Sequence, residues 1–260
     1  RTAVAHKKAK AAKGPDGVSR ADLLALPPVA AQTLVDLYQA VEAGQPWPTQ
    51  LATGFVSSLA KTPTAHQVDE FRPVVVYSLG YRVWSTERAR EALQSVAQIL
   101  PDSVQGGVPS RQAKSIWFEL ASVLEMAYLN DTPVHGLLMD IQKCFNNIPR
   151  KPLWQALALM DFPVATLRPW VAFVAAQCRR FRVRRSVGEP LFSTCGLPEG
   201  CALSVFGMTV VDWMLDWWLK HLDVPVDLRT FVDDWGLLFR DSDAFSRIWA
   251  SMEAFTGQLD

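Results

Sequence analysis

Arg229-Thr230-Phe231-Val232-Asp233-Asp234-Trp235-Gly236-Leu237-Leu238-Phe239 sets two adjacent aspartates between two short apolar runs. The pattern predicts a β-hairpin with both carboxylates at its tight turn. Neighbouring carboxylates repel unless a cation lies between them. A hard divalent ion with oxygen preference, Mg²⁺ first among them, suits such a pair. Asp is also a favoured turn residue, and a solvated Asp-Asp turn needs no ion. Other parts of the chain must decide between the two readings.

Upstream, Val134-His135-Gly136-Leu137-Leu138-Met139-Asp140 reads as a strand that ends in a carboxylate. Its unbroken apolar run suggests burial on both faces. Asp140 at the strand end would stand at the rim of a sheet, where it could meet Asp233. An Asp that merely closes the turn after a strand is the plainer alternative. Between these carboxylates, Gly196-Leu197-Pro198-Glu199-Gly200-Cys201 forms a loop that opens a helix running to about Lys220. Its glycines allow close backbone approach to a ligand. Asp212, Asp216 and Lys220 recur every fourth residue and suggest one wet stripe on an otherwise apolar, Trp-rich cylinder. Helices are expected over Lys151–Met160 and Pro163–Cys178.

Arg179-Arg180-Phe181-Arg182-Val183-Arg184-Arg185 alternates arginine with apolar residues, which predicts a strand with one basic face. On a chain of formal net charge +0, binding to nucleic acid needs such a local cluster. A charge-protected edge strand would carry the same residues. Earlier still, Phe55–Lys61 and Phe71–Tyr77 predict a long hairpin. Lys61 and Arg72 stand at its loop end, a point charge and a planar fork suited to a triphosphate. Exposed Lys and Arg beside a loop are also commonplace.

Helices are predicted from a Ser19 cap, over Pro28–Ala43 up to Gly44, over Tyr81–Leu100, over Ser110–Leu129 with Ser110 as cap, and over Asp243–Phe255. Gln105-Gly106-Gly107-Val108-Pro109 marks a break between two of them. The start is basic, with Arg1, Lys7, Lys8, Lys10, Lys13 and Arg20 against Asp16 alone up to residue 20. It reads either as a phosphate contact or as a frayed terminus.

With 260 residues, 49% of them hydrophobic, the chain can bury one large core or two modest ones. Cys144, Cys178, Cys195 and Cys201 lack the spacing of a zinc site and read as reduced thiols. No apolar run is long enough for a membrane helix, and no membrane partner is expected. Arg1 rather than Met at the start suggests a fragment or processed piece.

Taken in order, the motifs are Lys13-Gly14-Pro15-Asp16-Gly17, the Lys61 and Arg72 hairpin, Asp140-x4-Phe145, Gly196-Leu197-Pro198-Glu199-Gly200, and Phe231-Val232-Asp233-Asp234. This order resembles the reverse transcriptase domain, most closely that of LINE-type retroelements without long terminal repeats. The resemblance runs from Gly14 to about Phe239. It implies an α+β fold, the fingers and palm of a right-hand polymerase, with an antiparallel palm sheet backed by helices. Residues 1–133 would be fingers-like and 134–260 the palm. Too little chain follows Phe239 for the family's thumb, so a thumb is expected to be absent. No endonuclease or RNase H domain is recognisable.

The resemblance also implies roles. Asp140, Asp233 and Asp234 would be the catalytic carboxylates, holding two Mg²⁺ (or Mn²⁺) ions about 3.5–4 Å apart together with the Ile141 carbonyl. Lys61 and Arg72 would grip the triphosphate of a dNTP. The Phe145 ring would exclude a 2′-hydroxyl. Gly196, Pro198, Glu199 and Gly200 would border the nucleotide. Arg179, Arg180, Arg182, Arg184 and Arg185 would contact the RNA template and DNA primer. Two departures stand out. Glu199 occupies the place of the family's usual Gln, and Asn146 the place where many LINE-type relatives carry Asp. Two alternatives remain: an RNA-templated RNA polymerase of the same palm, against which Phe145 and Val232 argue, and a non-catalytic RNA-binding relic.

Overall fold

The computed structural model describes residues 2–5 and 12–259. Arg1, Lys7, Lys8 and Lys10, the core of the basic start, lie outside the described residues. The elements in order are α1 (Thr2–Ala5), α2 (Arg20–Leu24), α3 (Pro28–Glu42), α4 (Thr49–Ala52), β1 (Thr53–Ala60), β2 (Phe71–Tyr77), α5 (Leu79–Val96), α6 (Ala113–Leu129) and β3 (His135–Asp140). They continue with α7 (Cys144–Asn147), α8 (Arg150–Leu159), α9 (Val164–Ala176), β4 (Cys178–Val183), β5 (Ser186–Val187), α10 (Ala202–His221), β6 (Asp227–Phe231), β7 (Asp234–Phe239) and α11 (Ala244–Leu259). The class is α+β, as the sequence predicts. The chain divides into two compact units, Arg1–Ala89 with Leu157–Ser204 and Arg90–Ala156 with Val205–Asp260.

In the first unit the sheet order is β2-β1-β4-β5. β1 and β2 form the expected antiparallel hairpin, and β1 pairs β4 in parallel. Its core is aromatic. Tyr81 stacks on Phe173 with centroids 3.4 Å apart, and Trp47 meets both edge-on. These rings bring large apolar area, and their polar atoms find partners. The Trp47 indole donates to the Pro169 carbonyl at 2.8 Å, and the Tyr77 hydroxyl donates to Gln177. α2 opens on the predicted Ser19, which forms a reciprocal capping box with Asp22.

The basic strand differs from expectation. β4 is an interior strand, not an edge, and the chain turns back at Arg184, whose φ is 55°. Arg180 and Arg182 share one face of β4, Arg179 takes the other, and Arg184 and Arg185 occupy the turn to β5. Strand alternation thus divides the arginines, and no single basic face forms.

The second unit holds an antiparallel sheet of order β3-β7-β6. Period-two alternation fixes its two faces. Trp235, Leu237 and Phe239 of β7 and Leu228 and Thr230 of β6 are buried. This face is backed by helices: Trp235 meets Phe255 of α11 at 6.1 Å and donates its indole N–H to Asp212 of α10 at 2.8 Å. The other face of the sheet is open. β3 alternates between half-buried and exposed residues, so it is not buried on both sides as its apolar run suggested.

Two further expectations change here. α6 begins at Ala113, not Ser110, because Ser110 sits in a turn with φ 68° and Gln112 precedes the first helical residue. The Asp212–Asp216 stripe is not wet. Asp212 is fully buried and Asp216 is 5% exposed. Asp216 accepts from the Ser103 hydroxyl at 2.5 Å and pairs with Lys220 at 2.7 Å. Periodic spacing showed that the acids share a face, but not that another segment covers it.

Candidate active site

The hairpin β6–β7 turns through Val232 and Asp233 alone, since Phe231 pairs with Asp234. Only one of the two aspartates is therefore in the turn, a correction to the sequence reading. Val232 carries φ 61°. Positive φ at the first central residue is what a type II′ hairpin turn requires, and a β-branched side chain adopts it with strain.

Asp234 opens β7 and stands directly opposite Asp140, the last residue of β3. Cross-strand partners face the same side of a sheet. Asp140, Asp234 and Phe231 thus form a row on the open face, and both carboxylates are exposed. Asp233 is half-buried beside them. The Ile141 N–H donates to the Asp233 carbonyl at 3.0 Å, which ties the end of β3 to the turn. The Ile141 carbonyl accepts from the Cys144 N–H at 3.1 Å, leaving it one lone pair for another partner.

Electrostatics agree with this proximity. The Asp234 carboxyl is raised above the usual range, first by partial desolvation and then by the negative charges of Asp233 and Asp140. Among the described residues none of the three forms a salt bridge with Lys or Arg. Three oxygen-rich side chains without a basic partner are a donor set for a hard divalent cation. Among the described residues, however, no group of three His, Cys, Asp or Glu side chains is placed to hold an ion. The residue types and the backbone register suit a hard divalent cation such as Mg²⁺ or Mn²⁺.

Beneath the open face lies a carboxyl that sequence reasoning missed as part of the site. Burial pushes Asp212 well above the ordinary carboxylate range, and Asp233 adds to the shift. Its Oδ1 accepts from Trp235, while its Oδ2 has no hydrogen-bond partner. Burial on this scale favours the protonated form. The only sequence signal was an acid at a position helical periodicity could equally assign to solvent.

Phe145 lies on the short α7, half-buried, after Lys143 turns the chain with φ 52°. Lys61 and Arg72 are both exposed on the β1–β2 hairpin. Arg72 pairs with Leu59, and the Lys61 N–H continues the ladder to the Glu70 carbonyl at 2.9 Å. Alternation puts the two basic residues on one face, diagonal to each other.

In the loop before α10, Gly196 and Pro198 are buried, Glu199 half-buried and Gly200 exposed. A Cβ on Gly200 would lie 2.3 Å from the Val75 carbonyl oxygen, and its φ is 96°. Close approach to β2 is therefore sufficient reason for glycine there. Of the arginines, Arg182, Arg184 and Arg185 are exposed, whereas Arg179 and Arg180 are half-buried. Arg179 donates to Gln177 at 3.1 Å, and Arg182 lies over the Phe55 ring at 5.4 Å.

The sequence matches the family model described as reverse transcriptase (RNA-dependent DNA polymerase) over residues 60–259. No curated protein matches it. Among solved structures it resembles telomerase from Candida tropicalis in complex with a fragment of telomeric RNA, with a TM-score of 0.58 and 11% identity over 89% of this chain and 42% of that one. Apo telomerase of the same organism, truncated from its C-terminal domain, gives 0.56 and 13% over 86% and 51%. Telomerase from Candida albicans with a telomeric RNA fragment gives 0.58 and 10% over 90% and 44%. The chain therefore spans about half the length of these neighbours or less, and at such identities the likeness concerns the fold. With the family model covering most of the chain and the palm sheet carrying paired aspartates, the chain belongs to the reverse transcriptase family.

Proposed function

We propose that the chain is the fingers and palm of an RNA-directed DNA polymerase that adds dNTPs to the 3′-hydroxyl of a primer on an RNA template. The observation that carries this reading is Asp140 facing Asp234 across β3 and β7, with Asp233 in the adjoining turn. Residues 1–133 are taken as fingers-like and 134–260 as palm. Two Mg²⁺ or Mn²⁺ ions would supply Lewis-acid stabilisation of the transferring phosphoryl charge and lower the pKa of the attacking hydroxyl. Asp140, Asp233, Asp234 and the Ile141 carbonyl are the groups that would hold them. Asp212, whose burial beside Trp235 favours its protonated form, would add little negative charge next to those carboxylates.

Lys61 and Arg72 neutralise the triphosphate, the Lys as a point charge and the Arg as a fork. The Phe145 ring fills the space that a ribose 2′-hydroxyl would need. Gly196, Pro198, Glu199 and Gly200 border the nucleotide; the added negative charge of Glu199 has to point away from the phosphates, pair with a cation or be protonated. Arg182, Arg184 and Arg185 contact nucleic-acid phosphates, with Arg179 and Arg180 lending support. The LINE-type assignment rests on motif order from Gly14 to Phe239. RNA as template is favoured by the family and by two fold neighbours solved with telomeric RNA fragments.

The test is incorporation by the full-length protein on a primed RNA template, comparing dNTPs with rNTPs in Mg²⁺. Deoxynucleotide addition is expected to dominate. A strong ribonucleotide preference would assign the palm to RNA synthesis instead, and tight RNA binding with no synthesis would mark a relic.

A further inference from the structure

Gly106 and its neighbours read from sequence as a mere break between helices. In the second unit they do more. Ser103–Gly107 runs alongside β6 as a short strap. Val104 bridges Thr230 in parallel, Thr230 donates its N–H to Ser103 at 2.8 Å, and Gln105 donates to the Thr230 carbonyl at 3.1 Å. The strap then passes under the turn that holds Asp233. A Cβ on Gly106 would lie 2.4 Å from the Val232 nitrogen and 2.9 Å from its Cγ2.

The strap is itself held from two sides. α10 grips it through Asp216, which accepts from Ser103, and through Thr209, which donates to the Gly106 carbonyl at 3.0 Å. Arg111 holds it from the other end. Its guanidinium donates to the carbonyls of Pro101 and Val104, each at 2.5 Å, and of Leu100 at 2.9 Å. With a longer contact to the Ala97 carbonyl at 3.4 Å, one planar fork gathers four carbonyls at the mouth of the strap.

A β-branched residue at positive φ persists only where its surroundings over-determine it, at a strain of about 1–3 kcal/mol. Val232 is such a residue, and Gly106 of the strap lies close against its backbone nitrogen and side chain. We infer that the Ser103–Gly107 strap sets the position of Asp233, with Gly106 and Arg111 as positioning residues for the polymerase carboxylates. The inference rests on the polymerase reading above. It adds a mechanism of support from a segment that carries no catalytic group itself.

Alanine at 106 forces the strap and the turn apart. Ordinary contact needs about 3.5 Å or more, so the required movement is about 1 Å. A displacement of that size at a reacting group lowers turnover by about 10²-fold. Loss of a supporting partner lowers metal affinity by about 10–100-fold.

The experiment uses the full-length protein as wild type, Gly106→Ala, Arg111→Lys and Gly257→Ala. The last is a matched control in α11, where an added Cβ meets nothing within 4 Å. Four quantities are read: kcat and dNTP KM in primer extension, Mn²⁺ affinity from the free-ion paramagnetic resonance signal without nucleotide, and RNA affinity. Gly106→Ala is expected to lose about 10²-fold in kcat and at least tenfold in Mn²⁺ affinity, with dNTP KM and RNA affinity kept. Arg111→Lys, which retains charge but not the fork, should fall between it and wild type, and it decides the matter if Gly106→Ala does not fold. Gly257→Ala should behave as wild type. Wild-type Mn²⁺ affinity and kcat in both strap variants would overturn the inference while leaving the polymerase reading intact. A wild-type protein that binds Mn²⁺ but makes no DNA would remove the polymerase reading, and the strap would still stand or fall on Mn²⁺ affinity.

Discussion

Gly200→Ala separates two explanations of the Gly-Leu-Pro-Glu-Gly loop. One gives the glycine to a bound nucleotide; the other gives it to packing against β2. The structure favours packing, because a Cβ there would lie 2.3 Å from the Val75 carbonyl oxygen and the backbone has φ 96°. Gly17 is the natural comparison. Its φ is 68°, but nothing lies within 4 Å of an added Cβ. Gly17→Ala therefore pays only for backbone handedness, about 1–2 kcal/mol. Gly200→Ala adds overpacking against a main-chain oxygen, about 1–3 kcal/mol more. The sum is about 2–5 kcal/mol, or a fall in Tm of roughly 6–15 °C at about 3 °C per kcal/mol for a chain of this size. Urea unfolding followed by tryptophan fluorescence measures both variants in the absence of nucleotide. If the two variants were equally destabilised, the contact with Val75 would contribute nothing and the packing explanation would be wrong.

Asp212→Asn tests the buried acid. The folded state holds its proton well above the unfolded value of about 3.9, so wild-type stability falls as pH rises through that window. The variant should match wild type near the low end and exceed it increasingly toward neutral pH in urea unfolding; parallel curves would contradict a protonated Asp212. Phe145→Ala should raise rNTP incorporation relative to dNTP by about tenfold or more in single-nucleotide extension, and an unchanged ratio would remove the ring from sugar selection. Arg182→Ala should weaken RNA binding on all sequences and flatten its salt dependence by about one phosphate, whereas Arg179→Ala, already engaged with Gln177, should change the slope less. Equal slopes for the two variants would mean that exposure does not decide which arginines meet phosphate.

What was legible in the sequence followed from local chemistry. Alternating apolar residues and turn residues located β1, β2, β6 and β7, and the Ser19 cap located α2. The apolar run ending in Asp140 put that carboxylate at a sheet rim where it could meet Asp233; the register of β3 with β7 sets it opposite Asp234 instead, with Asp233 in the adjoining turn. What could not be read depended on segments far apart in the chain. Asp212 and Asp216 looked wet because periodicity gives a face but not its cover, which Trp235 and Ser103 supply. The arginine run looked like one stripe because alternation cannot announce that the chain turns at Arg184. Ser110 looked like a cap because its left-handed backbone has no compositional mark. Gly106 was visible only as a break, since its reason is the distant Val232.

Primer extension on an RNA template by the full-length protein carrying Asp234→Asn tests the paired carboxylates most directly. The substitution removes one charge from the row on the open sheet face and little volume. Extension should fall by about 10³-fold or more, with RNA affinity unchanged. Extension at the wild-type rate would show that Asp140 and Asp234 face each other for some reason other than catalysis.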